Sequence, residues 1–209
     1  CRAQVAIALI ASTAPMSVLG LGWQGGVDTL VRVRASDYAM VPSTALCFSV
    51  LGIAAVLASL HGRKRMGAVR GLLAVALTIV LANLALRYGL GLHGIDVLLP
   101  VRLMPGDGMA AGTALGIVVA AYCIDSRAQD LPACEDLPII AALAGMSTAI
   151  AVILGKSFER DAAQPVPLFQ ETSLPTAALF VVLFCALSLP NPRPLPRLER
   201  CPEDEVTFL

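Results

Sequence analysis

The chain has 209 residues, of which 57% are hydrophobic and 14% charged, whereas a soluble domain carries about a quarter of its residues as charges. Its 15 basic and 15 acidic residues cancel, which leaves no electrostatic footprint for nucleic acid. A mean hydropathy of +0.78 is too high for one water-facing globule and predicts an all-α integral membrane protein.

Six apolar runs each approach the ~20 residues that carry a helix across a ~30 Å hydrocarbon layer. They cover residues 3–22, 44–60, 71–90, 109–124, 137–154 and 174–189. No run alternates as barrel strands do, and a backbone in lipid must bond internally, so the runs are expected to be six transmembrane helices. The first follows Arg2 and exceeds the ~7–15 apolar residues of a signal peptide, so it is expected to be retained. The fourth and sixth are short and should extend into neighbouring residues or stand upright. A transmembrane domain over 1–190 is thus expected, followed by a tail over 191–209. The prolines at 190, 192, 194 and 196 favour extended, non-helical chain there.

Orientation follows from the basic residues, which stay cytoplasmic. The link expected at 61–70 concentrates Arg63, Lys64, Arg65 and Arg70. With Arg2, Arg127, Arg193, Arg197 and Arg200, that side would hold nine basic residues against six. The expectation is a multi-pass protein of a bacterial inner membrane with both termini in the cytoplasm. The three longer loops then face outward. They hold Asp28, Asp37, Asp96, Asp107, Glu159, Asp161 and Glu171 beside Arg32, Arg34, Arg102, Lys156 and Arg160, which reads as a solvated, mixed-charge rim. Trp23, Tyr38 and Tyr88 suit an interfacial belt, and the stretch 95–99 reads as a short amphipathic piece along the membrane surface.

Each long loop ends in a Thr-Ala step. The three helix starts read Met40-Val-Pro-Ser-Thr-Ala-Leu-Cys-Phe48, Met109-Ala-Ala-Gly-Thr-Ala-Leu-Gly-Ile117 and Thr172-Ser-Leu-Pro-Thr-Ala-Ala-Leu-Phe180. Thr44, Thr113 and Thr176 recur at 69 and 63 residues, which predicts three helical-hairpin pseudo-repeats, each an outgoing helix, a loop and a returning helix. Pro42 and Pro175 suit a first turn, where a missing N–H costs nothing, and nearby Ser and Thr hydroxyls are expected to cap. Ala45, Ala114 and Ala177, with Gly52, Gly112 and Gly116, should let helices approach closely. Two readings stay open: simple capping at an interface, or three equivalent starts converging on a shared outer site.

These starts, together with Gly-Leu-His-Gly-Ile-Asp-Val-Leu-Leu at 91–99, resemble the multi-helix N-terminal membrane region of bacterial sensor histidine kinases and diguanylate cyclases over about residues 3–190. Such regions repeat a Met-x-x-x-Thr-Ala-Leu-x-Phe start followed by a Leu/Gly-rich helix. The resemblance implies an input module that passes a signal to a cytoplasmic output domain. The departure is the tail, which carries no kinase, cyclase or receiver sequence. The expectation is either a piece of a longer protein or a stand-alone relative whose output lies elsewhere.

Chemistry-bearing groups are sparse. Arg87 is the only charged residue within an expected span, with Asn83 one turn earlier, and snorkelling to the headgroups is its expected account. No paired aspartates or polar midplane site suggest a protease or transporter. His61 and His93 fall on opposite faces, and no Cys-x-x-Cys occurs, so no metal, cofactor or catalytic residue is expected. Cys47 and Cys185 read as small packing residues. The leading expectation is a non-catalytic sensory or signal-input module, with the bilayer and other membrane or cytoplasmic subunits as partners. The alternative is a small accessory subunit packed laterally in a larger membrane complex, such as an energy-transducing or photosynthetic one.

Overall fold

The computed structural model describes residues 2–33, 38–60, 63–92, 94–98, 104, 107–129, 136–158, 169 and 171–189. Among the described residues every regular element is helical and no strand occurs. Helix α1 (Arg2–Ser17) continues into a π-helical stretch, Val18–Gln24, and is followed by the short α2 (Asp28–Val31). Then come α3 (Pro42–Ser59) and α4 (Arg63–Leu84), the latter running into a second π-helical stretch, Ala85–Gly89. A 3-10 turn at Ile95–Leu98 precedes α5 (Ala111–Ala128), α6 (Asp136–Phe158) and α7 (Leu174–Ser188).

Four of these stretches are long and apolar enough to cross a membrane: Ala3–Gln24, Pro42–Ser59, Arg65–Gly89 and Asp136–Ser157. Helix α7 is apolar but shorter, and α5 carries Asp125 and Arg127 in its last turn.

The helices sort into central and peripheral sets. Helices α3, α5 and α7 touch one another. Around them, α1 packs against α3 and α7, α4 against α3 and α5, and α6 against α5 and α7. Burial follows this order: 67% of the residues in the apolar stretch of α3 are buried, against 17% in that of α6. In the centre Phe48, Leu51, Ile117, Leu183 and Phe184 are fully enclosed. The Phe48 and Phe180 rings meet edge-on at 4.7 Å, and Phe180 stacks on Phe184 at 5.7 Å.

In an apolar solvent helices gain little from the hydrophobic effect, so small residues and close van der Waals contact must hold them together. Gly52 does this between α3 and α1: a Cβ there would stand 2.7–2.8 Å from the Ser12 backbone N and Cα.

One expectation is corrected here. The basic cluster at 61–70 is not a link, because α4 begins at Arg63 and contains Arg63, Lys64, Arg65 and Arg70. Arg, Lys, Met and Ala are good helix formers, and Gly67 alone is too weak a breaker to stop the helix. Arg65 and Arg70 are exposed, and Arg70 forms a 3.4 Å surface ion pair with Asp125 of α5. The tail 191–209, His61, His93, Cys134 and Cys201 lie outside the described residues.

Candidate functional site

The connections that lead into α3, α5 and α7 gather at one end of the bundle, and the three helix starts there share one backbone geometry. Their N-cap residues, Val41, Ala110 and Ser173, are extended with φ of −69°, −67° and −72° and ψ of 151°, 148° and 151°. Thr44, Thr113 and Thr176 are each the third residue of their helix, and all three are buried. The alanine that follows, Ala45, Ala114 or Ala177, bonds back to the N-cap carbonyl at 3.0–3.1 Å.

How the free N–H groups of the first turn are met differs among the three. In α7 the Ser173 hydroxyl accepts from the Thr176 N–H at 3.3 Å and pairs with the Thr176 hydroxyl at 2.7 Å. Val41 and Ala110 carry no side-chain acceptor, so the expected local capping fails at α3 and α5. For α3 the acceptor arrives from 53 residues away: the Asp96 carboxylate takes the Ser43 N–H at 2.8 Å and the Ser43 hydroxyl at 2.6 Å. Ser43 is therefore a donor to a distant cap instead of a cap itself.

The residue before each of the first two N-caps is also held from a distance. Trp23 Nε1 donates to the Met40 carbonyl at 3.0 Å, and Arg87 Nη1 donates to the Met109 carbonyl at 3.0 Å. Both donors sit on the π-helical ends of α1 and α4. Such widened turns re-aim side chains and recur at functional sites.

Further polar side chains tie the connections together. Asp107 accepts from Arg32, from the Ala39 N–H at 3.2 Å and from the Met104 N–H at 2.8 Å. Asn83, itself buried, accepts from the Ile95 N–H at 3.2 Å and donates to the Ile79 carbonyl at 3.0 Å. Gly94 allows this approach, since its φ of +86° and its contact with Asn83 Oδ1 leave no room for a Cβ. Arg87 Nη2 pairs with Glu171 at 2.6 Å, and the Lys156 ammonium lies 5.5 Å over the Tyr38 ring. The ties run from one connection to the next around the whole end of the bundle.

Three sequence expectations change. Asp96 and Asp107 are not a solvated rim but are 0% and 2% exposed, because backbone N–H groups need acceptors where the helix starts are buried. Arg87, expected to reach toward the headgroups, has its guanidinium held by Glu171 and the Met109 carbonyl. The stretch 95–99 includes a single 3-10 turn, over Ile95–Leu98, that turns Asp96 inward. Burial pushes the Asp96 carboxyl above its ordinary value of 3.8, and the Ser43 hydrogen bonds pull the other way. Sequence reasoning missed Asp96, Asp107 and Glu171 as organising groups, since their partners lie 53 to 84 residues away.

At the opposite end, Arg127 donates to the carbonyls of Leu187 and Leu189 and closes the C-terminus of α7. No family model, no curated protein and no solved structure matches this chain, so the functional argument rests on its own geometry and on the helix-start resemblance.

Proposed function

We propose that the chain is a non-catalytic, multi-pass membrane module for sensory or signal input. In this reading it is a six-span bundle of three hairpin pseudo-repeats in a bacterial inner membrane, with both termini in the cytoplasm. The observation that carries the proposal is the coupling of the connections to the central helices. Asp96 caps α3 from the second connection, and Arg87 joins the start of α5 to Glu171 of the third. A helix cap is worth roughly 1 kcal/mol, and signalling couplings typically run to about 1–3 kcal/mol. A stimulus that remakes one or two of these contacts is therefore large enough to shift the packing of α3, α5 and α7. The contact pattern supports the repeat reading, since every peripheral helix lies against two central ones. The basic cluster beginning α4 supports a cytoplasmic placement of that end.

The second reading, an accessory subunit, is favoured by the low burial of α4 and α6, which offers a lateral apolar face. One experiment separates them. The protein is extracted gently from its native membrane, its mass is measured and every co-purifying chain is identified. A kinase or cyclase partner, or an output domain on the same polypeptide, is the expected result. A fixed stoichiometry inside a bioenergetic complex would overturn the sensory reading in favour of the accessory one.

A further inference from the structure

Three carboxylates organise the end of the bundle where the central helices start, and one of them differs from the others. Asp107 faces Arg32 and Glu171 faces Arg87, so each of these charges has its cation. Asp96 is fully buried, and among the described residues no basic group lies within ion-pair distance of it. Its side-chain partners are both on Ser43, the backbone N–H at 2.8 Å and the hydroxyl at 2.6 Å. A buried charge without a counter-ion is costly, whereas a neutral carboxyl needs only hydrogen bonds. Ser43 serves both forms, because a hydroxyl donates to a carboxylate and accepts from a carboxylic acid.

The mounting of Asp96 is suited to movement. Its 3-10 turn, Ile95–Leu98, follows two glycines in the left-handed region, Gly91 at φ +66° and Gly94 at φ +86°. Val97 beside it is exposed, so the turn lies at the surface. Apart from the Ser43 bonds, the Ile95 N–H to Asn83 Oδ1 at 3.2 Å ties the turn inward. The turn packs against α3 and α4. From α3 the Cys47 thiol lies within electrostatic reach, donating to the Ala76 carbonyl at 3.8 Å. From the end of α4 comes Arg87, already committed to Glu171 and Met109. His93 and Arg102 of the same connection lie outside the described residues.

We propose that Asp96 is a proton-operated latch on the start of α3. Protonated, it holds the Ile95–Leu98 turn against Ser43. When its proton passes to the outer solution, the turn swings out about Gly91 and Gly94, the carboxylate reaches water and α3 loses its cap. The inference rests on the membrane-input reading and deepens it by naming the proton as the ligand. A ligand shifts an equilibrium by binding one state more tightly, and the closed state is the one that favours the neutral carboxyl. Burial raises the Asp96 carboxyl above 3.8, so the latch is closed at low pH and opens as pH rises through the raised value.

The test titrates the full chain in lipid nanodiscs from acid to alkaline pH with two readouts. Infrared difference spectra follow the C=O stretch of a protonated carboxyl. Emission of Trp23, the single tryptophan, follows the start of α3, since its Nε1 donates to the Met40 carbonyl. The expected result is loss of the carboxylic-acid band and a change in Trp23 emission at one shared midpoint above 3.8. Asp96→Asn should abolish both. Ser43→Ala removes a hydrogen bond that favours the ionised form and should move the shared midpoint upward. His93→Gln and Arg102→Gln should leave it in place. A Trp23 transition that survives Asp96→Asn, or an Asp96 that is already ionised at pH values above 3.8, would overturn the proposal. A midpoint moved by Arg102→Gln would reveal a counter-ion on Asp96 and overturn it too. Should Asp96→Asn not fold, Ser43→Ala decides: both signals moving upward together support the latch, and an unmoved midpoint sinks it. No readout needs an output partner. A titrating latch without any kinase or cyclase partner removes the signalling role alone, and a partner without the titration removes the latch alone.

Discussion

Asp96 condenses the problem of this chain into one residue. In the sequence it is one loop carboxylate among seven, flanked by apolar residues. In the fold it is fully buried, and it supplies the acceptor that Val41 cannot. Its burial raises the carboxyl above 3.8, so the folded chain holds this proton more tightly than the unfolded one. The stabilising effect is therefore fully present below about pH 4 and is lost as pH rises through the raised value. Asp96→Asn keeps an acceptor for the Ser43 N–H but cannot ionise. Thermal unfolding in detergent should then lose the decline that the parent shows from about pH 4 upward. An unchanged slope would assign that decline to another group. Asp96→Ala leaves the Ser43 N–H and hydroxyl unmet and should cost about 1–3 kcal/mol.

At the scale of elements, the outcome depends on how far a signal travels along the chain. The Thr-Ala steps are legible because they are local: an extended N-cap, a buried threonine at the third position and an alanine bonding back are all set within five residues. Capping at α3 is not legible, because its acceptor comes from a turn 53 residues away. The start of α4 is not legible either, because a run of charge resembles a loop although basic residues continue a helix well. Close approach gives a sharp contrast between two glycines. Gly52→Ala should push α1 from α3 and cost about 1–3 kcal/mol by overpacking. Gly67→Ala, with no atom within 4 Å of the new Cβ, should be neutral or stabilise α4 by up to about 1 kcal/mol. Unfolding midpoints of the two variants, measured side by side, check the packing directly.

At the scale of the molecule, the central set of α3, α5 and α7 and the peripheral set of α1, α4 and α6 define two ends with different chemistry. One end is closed by buried carboxylates, while the other carries Arg65, Arg70 and the Arg127 cap on α7. The proposed orientation predicts their accessibility. In a variant lacking its native cysteines, Val27→Cys, an exposed position, should react with an impermeant maleimide on intact cells. Gly67→Cys, exposed at the basic end, should react only after permeabilisation. The reverse pattern would place the termini outside.

The amino-acid sequence by itself determined the all-helical class, the position of the apolar runs and the register of the three helix starts. Each of these depends on composition or on neighbours within a turn or two. Only the tertiary structure decided which helices stand at the centre, which carboxylates are buried and which small residues close a contact. The physical reason is that helices apolar all round show no preferred face, since lipid and protein are alike as solvents for a leucine. The polar groups that break this symmetry find their partners across tens of residues, where no pattern along the chain records the pairing.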